Sequence, residues 1–387
     1  MPERLPPNDV TRIAAIELSA LRLADVLPPE PFEGAALPSE GTPVYDLNGE
    51  LLFHRVPIVT GDDPAAYADV AVHPAVGGPL IAASHGVAWD EQAIVVAATD
   101  EAHSHGVAFD TVRFVAYSFP KIALQFLRGG EEVLMLEWGT WAVVPPAQDG
   151  DRKPLEPGNF ERWSLLDELP PELKERRAGQ FRERLAIHGA VELRGVETAL
   201  VSRDLFGPAA ATSLVDTREL HFSGNQADHH VCYEVRGQRT SVWCVAASTQ
   251  MLLDFYRYDY TQVRLAQELG LGTLAAPSGL PYSRVGDVVT VIEKMTSNAL
   301  DATMIVSPGF GAFQSEIKAN RPTISFIPGH SRTVAGYTRS VLNPFPMILR
   351  GLLVYDPWPP NAGVVTRWEN FDTQVYQYAY SAVVKLV

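Results

Sequence analysis

Along the first part of the chain, apolar residues fall at helical spacing. Ile13, Ile16, Ala20, Leu23 and Leu27 share one face of a segment starting near Val10, with Asn8 or Asp9 as cap, which predicts an amphipathic helix. From Val44 to Val59 the period changes to two. Asn48-Gly49 sits between the alternating arms of YDLNGELLFHRVPI and predicts a hairpin. Asp63 to Gly77 reads as helical or irregular, and Ile94 to Ala98, a short apolar run, as a strand. Val112 to Val144 reads as two or three strands broken at Gly129-Gly130. Glu172 to Ile187 carries Glu, Lys and Arg at helical spacing and predicts a charged helix.

The second part is more sharply patterned. A helix capped by Ser241 or Thr240 should run to about Tyr256, with Ala246, Ala247 and Ser248 small enough for close backbone approach, as in a buried central helix. Thr261 caps a second helix that ends at Gly270, and Val285, Val288, Val289, Ile292 and Met295 stripe a third. Strand patterns follow at 323–327, 332–337, 352–355 and 376–387, with the stretch between Tyr337 and Gly351 read as a long loop. Helices first and strands second predict an α+β domain with an antiparallel sheet.

Breakers divide these regions. Pro28 to Pro43 is a surface connection, Pro145 to Gly158 (PPAQDGDRKPLEPG) is an exposed segment, and Val191 to Asp216 has no clear assignment. With 387 residues, two domains are expected: a small α/β or α+β domain over 1–215 and a second over 216–387.

Composition narrows the function classes. A formal charge of −15 without clustered Lys and Arg argues against nucleic acid. No apolar run is long enough to span a membrane, and Arg12, Glu17, Arg22 and Asp25 interrupt any secretory pattern in the first helix, so a cytoplasmic location is expected. The two cysteines, Cys232 and Cys244, form no disulfide framework and fit a reducing compartment. Cys232 reads as structural. His103 and His105 alternate as strand ligands would, and Asp228, His229 and His230 cluster, but both groups lack the companion spacing of a zinc site. Gly309 and Gly311 do not follow the order of a phosphate loop, so neither metal nor cofactor is expected.

Cys244 stands where the first turn of the buried helix leaves backbone N–H groups unpaired, which favours its thiolate. A cysteine nucleophile needs a base, a group to orient it and oxyanion donors. His330 in PGHSRTVAGY lies at a strand boundary, Asp356 in GLLVYDPWPP ends another strand, and Gln238 precedes Cys244 by six positions.

Gln238, Trp243-Cys244, Gly329-His330 leading to Gly336-Tyr337, and Asp356-Pro357 resemble, in that order, the papain-like cysteine peptidases. RPTISFIPGHSRTVAGY is similar to the bacterial branch that includes the double-glycine leader peptidases of bacteriocin exporters. The resemblance covers about Leu220 to Val387. It implies a papain-like fold there and a peptide or protein substrate, with Cys244 as nucleophile, His330 as general acid and base, Asp356 as orienting residue and Gln238 as oxyanion donor. It leaves open whether the thioester goes to water or to an amine, or forms on a glutamine side chain. Those outcomes describe a peptidase, a transpeptidase or acyltransferase, and a deamidase or transglutaminase. A binding module of papain-like shape without activity is the reading from another class. Residues 1–215 would be a propeptide-like or a permanent partner-recognition domain. Gly279 to Tyr282 and Trp358 are candidates to line the cleft.

Overall fold

The computed structural model of the chain describes residues 7–37, 41–60, 63–146, 153–190, 200–208, 210–221, 232–343 and 347–385. The first half holds α1 (Pro7–Leu23), the turn α2 (Pro29–Phe32), β1 (Thr42–Tyr45), β2 (Leu51–Thr60), β3 (Asp63–Ala71) and β4 (Leu80–His85). It continues with α3 (Glu91–Ser104), β5 (Thr111–Ser118), β6 (Lys121–Arg128), β7 (Glu131–Glu137), the turn α4 (Leu165–Glu168), α5 (Pro171–Ala190) and β8 (Ala211–Glu219). The second half holds α6 (Cys244–Phe255), α7 (Gln262–Glu268), α8 (Asp287–Met295), β9 (Leu300–Val306), α9 (Phe310–Lys318) and β10 (Thr323–Ile327). It ends with β11 (His330–Asn343), β12 (Met347–Asp356), β13 (Val364–Asn370) and β14 (Tyr378–Val384).

The chain is mixed α+β, and its strands form one sheet. Among the described residues the order is β7-β6-β5-β1-β2-β3-β4-β13-β12-β11-β10-β14-β9, with β8 on the second part of β11. Pairing is antiparallel except for β1 with β5. The join between the halves is β4 against β13, where Ser84 pairs with Thr366 and their hydroxyls lie 3.1 Å apart. β8, which straddles residue 215, pairs with β11 from Gly336 to Asn343.

Alternation along β3 sends its side chains to two cores. Ala66, Ala68 and Val70 join α1, while Tyr67 joins α3 and α5. The α1 core also takes Leu342, Met347, Leu349 and Trp368 from the second half. The α1 segment is buried nearly all round rather than on one stripe, because its charges find partners. Arg184 and His188 of α5 both donate to Glu17, and Arg22 donates to Glu33.

Several expectations change with these pairings. Ile94 to Ala98 belongs to α3, whose cap is Asp90, and His103 and His105 lie at the C-terminal end of that helix, not on a strand. Asp63 to Ala71 is a strand. The stretch read as a long loop after Tyr337 is mostly the β11–β12 hairpin. Asp228, His229 and His230 lie outside the described residues, as do 147–152 and 191–199. Asn48-Gly49, with Gly49 at φ 86°, turns β1 into β2, and Gly129-Gly130 turns β6 into β7.

Candidate active site

Every residue of α6 except Gln250 is buried, so the helix is written without a polar face. On one side Val245, Leu252 and Leu253 pack with Leu265 of α7, Val288 of α8 and Ile324 of β10. On the other, Met251 and Phe255 pack with Phe313 of α9 and Val334 of β11. The small residues serve close approach: Thr333 Oγ1 donates to the Ser248 carbonyl at 3.2 Å. The helix begins with Cys244 itself, capped by Trp243 without a side-chain bond. Of the two expected caps, Ser241 instead donates to Glu137 at the end of β7, and Thr240 Oγ1 accepts from Val242 N at 3.3 Å, ahead of the helix.

His330 opens β11 after a two-residue turn, Pro328-Gly329, between β10 and β11, with Ile327 paired to His330. Gly329 has φ +64°, and a Cβ there would lie 2.7 Å from Ser118 Oγ, so glycine is required on both counts. Asp356 closes β12, opposite Val364. The hairpin and β12 bring these two together: His330 Nε2 donates to Asp356 Oδ1 at 2.6 Å, and the Trp358 N–H donates to the same oxygen at 2.9 Å. His330 Nδ1 is buried without a hydrogen-bond partner.

Cys244 lies beside this pair. The backbone N–H groups of Ser331, the residue after His330, and of Val245 both point to its sulfur. Gln238 is fastened on the other flank, its N–H donating to the Pro357 carbonyl at 2.8 Å and its own carbonyl accepting from Asn361 N at 2.7 Å. Its Nε2 donates to the Thr240 carbonyl at 2.8 Å, which uses one of two amide hydrogens. Thus His330 and Asp356 are bonded directly, Gln238 is tied to the loop after Asp356, and Cys244 is reached by Ser331, next to His330. Of the candidate lining residues, Leu280 and Tyr282 border the same small cavity as His330, and Trp358 is buried beneath Asp356. Cys232 is exposed rather than structural.

The electrostatics differ from the easily ionised thiol expected of a helix start. Burial pushes Cys244 up from its ordinary 9.0 to about 11, against the downward pull of the Lys121 ammonium and the Ser331 N–H. Burial also lowers His330 below its ordinary 6.5, outweighing the Asp356 charge and hydrogen bond, and Lys121 and Arg332 add to the lowering. Together these favour a neutral thiol beside a neutral imidazole.

Part of the cover over the site comes from the first half, which the sequence did not indicate. Asn159, with Leu280 and Tyr282, encloses beside His330 a cavity of about 10 Å³, room for roughly one water. Lys121, fully buried on β6, donates to the Gly329 carbonyl at 3.0 Å and to the Asn159 carbonyl. Asn159 Nδ2 in turn donates to the Val242 carbonyl at 3.2 Å. Glu137 accepts from Tyr117 at 2.7 Å, from Ser241, and from the Trp358 indole at 3.3 Å. The sequence signal for Lys121 and Glu137 was slight: β6 carries a charge at each end and β7 three glutamates, and nothing in the pattern singles out these two. Among the described residues no three His, Cys, Asp or Glu side chains converge as a metal site.

No curated protein matches the chain. Among solved structures, the crystal structure of UfSP from C. elegans is similar at 11% identity, over 44% of this chain and 34% of that one, with a TM-score of 0.26. This chain therefore spans about a third of the length of that protein. The resemblance read from Gln238, Cys244, His330 and Asp356 is borne out in the second half, where residues 224–385 match the Peptidase_C39 like family.

Proposed function

We propose that the chain is a cysteine peptidase that cleaves peptide or protein substrates through a thioester acyl-enzyme, with residues 216–387 as the peptidase domain. In this reading Cys244 passes its proton to His330 Nδ1 and its sulfur attacks the peptide carbonyl. Gln238 Nε2 and the Cys244 backbone N–H face the developing oxyanion. His330 then protonates the leaving amine, and later takes a proton from the water that splits the thioester. Asp356 holds the ring with Nδ1 free for this traffic. The observation that carries the reading is the buried bond from His330 Nε2 to Asp356, on a strand whose next residue aims its N–H at Cys244.

Residues 1–215 are, in this proposal, a permanent companion domain rather than a releasable propeptide, a view supported by the shared sheet and the shared α1 core. In this reading substrate enters beside Asn159, which lines the same small cavity as His330.

The test uses the full chain with a mixture of unfolded proteins, product peptides being read by mass spectrometry. Cleavage is expected from the parent and none from Cys244→Ala of unchanged melting temperature. Equal cleavage by both removes the reading. Iodoacetamide labelling offers a second measurement, with exposed Cys232 as internal reference.

A further inference from the structure

Resting on that peptidase reading, we propose that Lys121, from the companion half, is a positioning residue of the active site, fixing the turn that presents His330 and supplying the positive charge beside Cys244. Three loops carry the candidate catalytic groups, and each is tied to the first half by a buried side chain. Lys121 holds the Gly329 carbonyl, immediately before His330. Glu137 holds Ser241, three residues before Cys244, and the indole of Trp358, two residues after Asp356. Asn159 joins the sets, accepting from Lys121 and donating to Val242.

Of these ties Lys121 is the one that also acts through charge. An ammonium is costly to bury unless anions and acceptors surround it. Burial lowers Lys121 below its ordinary 10.5, opposed by the charges of Cys244, Glu137 and Asp356, and two of its three donors are taken by backbone carbonyls. A methionine at this position would fill the space more cheaply. The side chains that act electrostatically on or with Cys244 are Lys121 from β6, Tyr117 from β5, Asp356 from β12 and Tyr282 from the turn before α8, with His330 bonded to Asp356. Of that set Lys121 draws the Cys244 thiol down, whereas Asp356 pushes it up and His330 is held toward its neutral form.

The carbonyl tie and the charge make separable demands. Lys121→Gln can still donate to Gly329 but carries no charge, Lys121→Met does neither, and Lys121→Arg does both. Each full-length variant would be followed by the rate of Cys244 alkylation against pH, referenced to Cys232, and by peptide cleavage. The uncharged variants are expected to move the alkylation profile up by about one pH unit, an approximately tenfold loss of rate at neutral pH. In cleavage, kcat should fall roughly tenfold or more with KM within about twofold, and Met should be worse than Gln. Arg should stay on the parent's pH profile.

Parent-like profiles in Gln and Met overturn the proposal, even if both melt earlier, because a structural plug alters stability without moving the profile. Should neither uncharged variant fold, Arg decides: a profile displaced from the parent's overturns the proposal, and a superimposable one supports it. The peptidase reading fails separately, by cleavage surviving in Cys244→Ala.

Discussion

His330 Nε2 donates to Asp356 Oδ1 at 2.6 Å, and both side chains are almost wholly buried, so neither has water as an alternative partner. Asp356→Ala leaves the ring nitrogen and the Trp358 N–H without an acceptor. A loss of about 1–3 kcal/mol is expected in urea unfolding, as for a buried donor left unpaired. If Asp356 orients the base, kcat should also fall by roughly a hundredfold or more, with Asn intermediate in stability. Unchanged kcat would remove Asp356 from the proposed machinery.

The buried thiol gives stability its own pH dependence. Because burial pushes Cys244 up to about 11 from its ordinary 9.0, the folded state holds the proton more tightly. Its contribution is therefore complete below pH 9 and is lost as pH rises toward 11. Across that window the parent should lose up to ~2–3 kcal/mol more stability than Cys244→Ala, at about 1.4 kcal/mol for each tenfold difference in proton affinity. Parallel curves for the two proteins would contradict the burial argument.

Glu17 gives the opposite sign. Burial alone would raise its pKa, but the charge and hydrogen bonds of Arg184, with those of His188, hold it well below the ordinary 4.5. Its stabilisation is present above about that pH and disappears as pH falls. Glu17→Gln leaves the buried His188 and the largely covered Arg184 short of their acceptor, and a loss of about 3 kcal/mol near neutrality is expected. The deficit should shrink in acid, as chemical denaturation at successive pH values would record.

Gly237 lies against the loop that follows Asp356. A Cβ there would meet Ala362 N at 2.5 Å and Asn361 C at 2.6 Å, both backbone atoms that cannot rotate away. Gly237→Ala should push the two loops apart, breaking the exchange between Gln238 and Pro357 or Asn361, and cost about 2 kcal/mol or more. Gly286→Ala, with open space around its Cβ and a helical backbone, is the control and should be neutral or slightly stabilising. Equal melting temperatures for the two would refute the packing account.

Local chemistry was what the sequence made legible. Asn48-Gly49, Thr261 as a cap and the small residues of α6 each act within a few positions of chain, and their elements formed as expected. The candidate site was legible for a different reason: Gln238, Cys244, His330 and Asp356 keep a recognisable order. Ile94 to Ala98 misled because a short apolar run fits a strand or one side of a helix equally, and the Asp90 cap outweighed it. The site's cover was illegible because its ties are long-range. Lys121 reaches a carbonyl 208 positions away, and no periodicity encodes such a partner. Nor does pattern reveal desolvation, which reversed the expected ease of ionising Cys244.

The union of β4 with β13 limits how the protein can be dissected. Removing the first half would strip β13 of its neighbour from Val365 to Glu369 and bare a row of main-chain donors and acceptors. It would also uncover Leu342, Met347, Leu349 and Trp368, which α1 shelters. A shortened chain beginning near residue 216 would thus present a sticky ribbon edge beside a greasy face. Aggregation, not a liberated enzyme, is the outcome to expect from it.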